Sequence, residues 1–380
     1  MKILWHSNSP WASTGYGNQT QLFTRRIADL GHDVAISAFY GLEGGTLDWK
    51  GIKIYPKGRS PYGDDVIPSH AVTHKADIVI SLVDAWVYHP EGWPPFVRWI
   101  PWFPIDSEPV PPAVTKAVAQ AHDRIVFTQF ALKQLADVGL QAHYIPHGID
   151  TKAFHPIEQS VARKRLEMPD DAFLVGIVGA NKGYPPRKAW VEMLVAFAQF
   201  KRKRKDALLY IHTNPDVTNG GVNMFELFEA NGLRPGFDVF WPNQYRTLIG
   251  GYSDADMNDF YNAFDVHLLA SAGEGFGIPV VEAQAAGCPV IVGDWTATGE
   301  LCFGGWKIDK ADATPMWTQL AAWQFYPHIG AIVDKLEAAY QARGNQEIRA
   351  AARAGALAYD ADTVTQEYWK PVLEKIEAKL

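Results

Sequence analysis

The stretch SAGEGFGIPVVEAQAAGCPVIV, residues 271–292, sets two glutamates, Glu274 and Glu282, on either side of a glycine-proline turn. DVHLLAS, just before it, is a continuous apolar run of the kind found in buried strands. From Pro279 onward the apolar spacing reads as a short helix, with proline favoured in its first turn and Gly287 as its stop. Gly275 and Gly277 let the backbone approach a ligand. The helix start offers N–H groups and partial positive charge, which together make a seat for a diphosphate. Carboxylates accept hydrogen bonds from hydroxyls. Glu274 on the loop and Glu282 in the helix are therefore expected to grip hydroxylated rings flanking that diphosphate, a sugar near Glu274 and a ribose near Glu282.

Outward from this motif the chain alternates strands and helices. KILWHS, DVAISAFY, IKIYP, ADIVISLVD and DRIVFTQ read as strands in the first half, with GNQTQLFTRRIADLGH, PPAVTKAVAQAH and ALKQLADVG as helices between them. The alternation pauses at YIPHGIDTKAFHPIEQS and restarts at FLVGIVGA, followed by KAWVEMLVAFAQFKRKRK, ALLYIHT, MFELFEAN, DVFWP and DADMNDFYNAF. Strand and helix in turn imply parallel sheets with right-handed crossovers. Two α/β domains are expected, at 1–155 and 156–361, their sheets facing each other across a deep cleft with ligands beyond the carboxyl ends of the strands.

The 380 residues suit two such cores. A net charge of −7 argues against a general polyanion binder. Two cysteines, Cys288 and Cys302, without metal-type spacing point to a reducing compartment. MKILWHSNSP reads as a first strand, and no apolar run approaches the roughly 20 residues of a membrane span, so a cytoplasmic protein is expected. Seven of the fourteen tryptophans fall in the first 102 residues, among them Trp11. They serve either ordinary packing or an aromatic-lined acceptor site.

EGFGIPVVEAQAAGCPVIV resembles the glutamate-x7-glutamate signature of the group 1 (family-four type) retaining glycosyltransferases, which have the GT-B fold. The resemblance extends over nearly the whole chain, through STGYGNQTQLFTRRIADLGHDV, HDRIVFTQFALKQLADVGLQAHYIPHGIDTKAF and FLVGIVGANKGYPPRKAWVEMLVAFAQF, in the family's order. It implies that the first domain binds the acceptor, that the second binds a nucleotide-diphosphate sugar, and that the last helix, within 362–380, packs back on the first domain. By the same resemblance Glu274 contacts the donor sugar, backbone from Gly275 through Phe276 and Gly277 to Ile278 lies near sugar and phosphate, and Glu282 holds the ribose. Arg187 and Lys188 match the basic pair that neutralises the leaving diphosphate, with Lys182 as a third cation. Fixed cations stabilise that charge as it develops. In the family the arginine stands further upstream of the lysine, so which cation meets which phosphate stays open.

Gly15 and Gly17 in STGYG are candidates for a phosphate or acceptor contact, in competition with a structural strand-to-helix turn. Asn243, Gln244 and Tyr245 are candidates for contacts to the donor base. The family's first-domain histidine has no clean equivalent. Asp106 is the preferred acceptor-side catalytic group, with Asp84, His89 and His147 as further candidates. DAD at 254–256 imitates an acidic metal motif, but Ser253 with Asp256 reads as a capping box. No metal and no cofactor are expected beyond the sugar nucleotide itself. KRKRK, 201–205, ends a helix, where cations complement the dipole.

The expected activity is metal-independent, retaining transfer of a hexose-type sugar from a UDP- or GDP-sugar to a hydroxyl of a glycan, protein, lipid or nucleic acid. Rival readings are a glycosyltransferase acting on a modified DNA base, a GT-B epimerase or phosphorylase, and a non-catalytic sugar-binding protein.

Overall fold

The computed structural model describes residues 1–217 and 220–380. The chain divides into two compact units, the first comprising Met1–Ile149, Gln319–Ala322 and Tyr359–Leu380, the second Asp150–Thr318 and Trp323–Ala358.

The first unit is built on an eight-stranded sheet. Its strands are β1 (Lys2–Asn8), β2 (Asp33–Tyr40), β3 (Leu47–Trp49), β4 (Ile52–Tyr55), β5 (Ile78–Leu82), β6 (Trp99–Phe103), β7 (Ile125–Val126) and β8 (His143–Tyr144), in the order β3-β4-β2-β1-β5-β6-β7-β8. All pairs are parallel except β3 with β4. In the central strands Leu4, Ile36 and Ile80 are fully buried, which explains why these runs are apolar without alternation.

The early tryptophans divide between two fates. Trp5 and Trp102 are fully buried, and their rings meet each other and Trp369 of the C-terminal segment, with Trp102 and Trp369 centroids 5.0 Å apart. Packing therefore accounts for these two, while Trp11 and Trp86 stand exposed.

The second unit carries a six-stranded parallel sheet. Its strands are β9 (Phe173–Val178), β10 (Ala207–His212), β11 (Val239–Phe240), β12 (Val266–Leu269), β13 (Val290–Gly293) and β14 (Gly305–Ile308), in the order β11-β10-β9-β12-β13-β14. β15 (Ala313–Trp317) and β16 (Trp323–Pro327) add an antiparallel hairpin that the alternation did not predict. The Trp190–Lys203 helix closes one face of the sheet, burying Trp190, Met193, Leu194, Phe197 and Phe200.

A buried ion pair braces the start of this unit. Arg163 is 1% exposed and donates to Asp265 Oδ2 at 2.8 Å and to the carbonyls of Ala263 and Ala172, each at 3.0 Å. Among the described residues, no helix is long and apolar enough to cross a membrane.

Candidate functional site

The site is assembled at the carboxyl ends of β9 and β12. β12 stops at Leu269, and the loop to Gly277 leads into the Ile278–Ala285 helix. Gly277 occupies the left-handed region at φ 108°, and a Cβ there would come within 3.1 Å of Thr298 Cγ2. Glycine is thus favoured by the backbone conformation, and a side chain there would also press on Thr298. The helix has no side-chain cap, so its start is shaped by backbone alone.

The loop after β9 supplies the cations and is tied to the glutamate loop by the Ala272 amide donating to the Arg187 carbonyl at 2.8 Å. Lys188 Nζ donates to Glu274 Oε1 at 2.5 Å and Arg187 Nη1 to Glu274 Oε2 at 3.1 Å. Arg187 Nη1 also bonds the Gly273 carbonyl. Glu274 is 5% exposed. Burial alone would raise its pKa, but the charges of Lys188 and Arg187 override this and hold it at about 2. For Lys188, burial pulls the ammonium below its usual range, Glu274 pulls it back up, and repulsion from Arg187 and from exposed Lys182 lowers it further. Two cations therefore hold one carboxylate, and a third, Lys182, acts on Lys188.

Glu282 lies eight residues on, in different surroundings. It is 9% exposed, and its Oε2 accepts the Tyr261 hydroxyl at 2.8 Å. Burial raises its pKa to about 7; the Tyr261 bond lowers it, and the Asp254 charge raises it. Tyr261 is fully buried in the Asp254–Ala263 helix, and the reading of the sequence passed over it. Its ring contacts that of His267 at 5.7 Å, in β12. Burial first, then the Lys188 charge, lower His267 to about 3, so that ring is neutral. The apolar spacing of DADMNDFYNAF marked a helix, but only the fold reveals that Tyr261 reaches across to Glu282.

The other candidates fall into place as follows. The Gly17 amide donates to Thr14 Oγ1 at 3.0 Å, capping the Gly15–Asp29 helix, and a Cβ on Gly17 would strike the Ala12 carbonyl. That amide thus takes part in the strand-to-helix turn that competed with a phosphate or acceptor contact. Gly15 is exposed at the first position of the same helix.

Asn243 caps the Gln244–Leu248 helix through the Arg246 amide, and Gln244 Nε2 bonds the carbonyls of Pro242 and Thr213, so both side chains are engaged in the turn. Tyr245 is 72% exposed. Ser253 and Asp256 form both bonds of the capping box, which accounts for the local DAD pattern.

In the first unit, Asp84 and Asp106 follow the ends of β5 and β6 and are half-buried. Trp11 is half-exposed, its indole N–H donating to the Gly41 carbonyl at 2.8 Å. His147 lies deeper than the two aspartates. It is buried between Phe127 and Trp102, with ring centroids 3.9 and 4.7 Å away, and burial lowers it to about 3. Its ring is therefore neutral and packed among aromatic residues of the first unit.

Two units with parallel sheets, one bearing a glycine-shaped helix start beside a carboxylate with basic partners, define a GT-B protein. Solved structures share this fold. The sucrose-phosphate synthase of Thermosynechococcus elongatus superposes with a TM-score of 0.76 at 16% identity, over 100% of each chain. The Anabaena protein HepE, solved in complex with UDP-glucose, gives 0.70 at 14% identity, over 98% of this chain and 100% of that one. Residues 173–319 match the family model described as Glycosyl transferases group 1. The mannosylfructose-phosphate synthase of Agrobacterium fabrum is 28% identical over 168 residues, which is 42% of this chain and 34% of that protein. The match thus spans about a third of the relative's length.

Proposed function

We propose that the chain is a retaining glycosyltransferase that moves a hexose-type sugar from a nucleotide-diphosphate sugar to an acceptor hydroxyl without a metal. The observation that carries this reading is the cluster of Glu274, Arg187 and Lys188 beside the Ile278–Ala285 helix start. A diphosphate seated at those N–H groups would meet Lys188 and Arg187, and Lys182 lies close enough to repel Lys188. Fixed cations and a helix start are sufficient charge for a leaving diphosphate in a partly dry site.

Glu274, ionised, would exchange its cation contacts for the donor sugar's hydroxyls. Glu282, supported by Tyr261, would accept from the ribose. The bond from the sugar's anomeric carbon to the diphosphate oxygen breaks, its electron pair staying with the diphosphate. The acceptor oxygen bonds to that carbon on the same face, and its proton passes to a diphosphate oxygen. No protein nucleophile takes part. The second unit would hold the donor and the first the acceptor, with Asp106, Asp84 and Trp11 on loops that follow strand ends. A sugar nucleotide donor also fits the UDP-glucose in the HepE complex and the synthase and transferase names of the relatives.

Thermal unfolding with UDP-, GDP- and ADP-sugars tests the donor. A ligand at 100 times its dissociation constant adds about 2.7 kcal/mol of stability. Product analysis with the stabilising donor in EDTA then reads anomeric configuration and metal need. The reading fails if no sugar nucleotide stabilises the chain, or if transfer occurs with inversion or stops in EDTA.

A further inference from the structure

The second unit has a basic cavity away from the strand ends that carry Glu274. It is a half-open basin of about 550 Å³, lined by Lys201, Arg202, Lys205, Arg234 and Asp238 among others. The Trp190–Lys203 helix ends there, Lys205 lies in the short loop into β10, and Asp238 immediately precedes β11. The cavity thus lies at the amino ends of these strands, whereas Lys188 and Glu274 follow the carboxyl ends of β9 and β12. A six-residue strand such as β10 separates its two ends by about 20 Å. One small ligand cannot occupy both places.

The charges in this cavity are unequal. Asp238 is the single carboxylate among the lining residues. It receives Arg234 Nε at 2.9 Å and Arg234 Nη2 at 3.1 Å, and Lys201 Nζ also lies 3.1 Å from it. Lys201 further donates to the Ala207 carbonyl at 2.8 Å and the Lys205 carbonyl at 3.2 Å, which uses all three of its N–H groups. Arg202 and Lys205 are exposed, and among the described residues no carboxylate pairs with either.

The acidic neighbours are engaged elsewhere. Glu337 pairs with Arg204 at 2.7 Å, and Asp206 accepts the Tyr340 hydroxyl at 3.0 Å. The Trp190–Lys203 and Met224–Ala230 helices both end nearby, and each helix end carries up to about half a negative charge. Two helix ends and Asp238 therefore offset about two of the four cations, so dipole complementation leaves part of the positive charge unanswered.

We propose that this cavity is a second anion site, built for a phosphate-bearing group such as a diphosphate or a phosphorylated headgroup. Arg234 and Lys201, held in place by Asp238, form its wall. Arg202 and Lys205 supply the mobile contacts that close on the phosphate oxygens, which accept charge-assisted bonds from both side-chain types. The same chemistry serves a soluble phosphorylated metabolite or the surface of an anionic bilayer.

Inorganic pyrophosphate, titrated calorimetrically into the full chain, is the probe. The expected stoichiometry is two, falling to one in Arg202→Ser/Lys205→Ser and to a different one in Lys188→Ala. Loss of the proposed site should weaken the second binding event at least ten-fold. If the donor reading is wrong but the cavity reading right, Lys188→Ala keeps the wild-type stoichiometry while the double variant still loses a site. Cosedimentation with phosphatidylglycerol vesicles, against phosphatidylcholine, identifies the source. Vesicle binding lost in the double variant points to a lipid headgroup; pyrophosphate binding without vesicle binding points to a soluble ligand. Wild-type pyrophosphate and vesicle binding by Arg202→Ser/Lys205→Ser overturns the proposal.

Discussion

Glu274 and Glu282 are the same residue type in one short segment, both nearly buried, yet the fold drives them in opposite directions. Around Glu274, two cations outweigh the cost of burial and the carboxylate stays ionised at any ordinary pH. Around Glu282, no cation pairs with it among the described residues; burial moves its titration to about 7, a tyrosine hydroxyl is its partner, and Asp254 repels. Burial therefore does not set charge state by itself. The partner does, and the partners come from distant parts of the chain.

The largest expected effect lies on the cationic side of this contrast. Lys188→Ala and Glu274→Ala should each lower kcat/KM for the donor more than 100-fold, roughly 3 kcal/mol of transition-state stabilisation. Steady-state kinetics with the donor found by thermal shift checks this, and full activity in either variant removes that residue from the mechanism.

The contrast also has an acid-base signature. Folded Glu282 keeps its proton up to about pH 7, against an ordinary value of 4.5. The folded state thus binds more protons than the unfolded one between those values, and this group's contribution to stability falls as pH rises through that window. Glu274 runs the other way. Its folded value of about 2 lies below the ordinary 4.5, so its contribution is present above pH 4.5 and lost as pH falls toward 2. Glu282→Gln should flatten the decline between pH 4.5 and 7 by up to about 3 kcal/mol. Urea unfolding at pH 5, 6 and 7 reads it; a slope equal to wild type would mean that Glu282 is already ionised.

A smaller effect belongs to the tyrosine. Tyr261→Phe keeps the ring and removes the bond to Glu282, so donor KM should rise about ten-fold, about 1.4 kcal/mol, with kcat nearly unchanged. Equal losses in both parameters would place Tyr261 in the chemical step instead.

The smallest concerns the acidic cluster at the start of the same helix. Ser253→Ala should cost about 1 kcal/mol of stability and leave turnover intact. A collapse of turnover reversed by a divalent ion would reopen the DAD segment as a metal site.

Local chemistry was legible before the fold. Buried parallel strands show as unbroken apolar runs, so β1, β2, β5, β9, β10 and β13 stood out, as did the helix start after Gly277 and the Ser253–Asp256 cap. The β15–β16 hairpin escaped because its residues are mostly exposed or half-buried and follow no parallel-sheet alternation. No local pattern marks Arg163, which lies buried against Asp265, far along the chain.

From the amino-acid order alone came two α/β units, the group 1 family likeness, and a helix start flanked by two glutamates. The units and the helix start follow from periodicity, turn residues and spacing, which are properties of near neighbours, and the likeness rests on the resemblance of whole motifs. Tertiary structure decided that Lys188 and Arg187 meet on Glu274, that Tyr261 reaches Glu282, and that His147 is a core residue while Gly17 serves a cap. Pairing, burial and charge state depend on groups separated by tens to hundreds of positions, and no local pattern encodes which of them the fold brings within hydrogen-bonding distance.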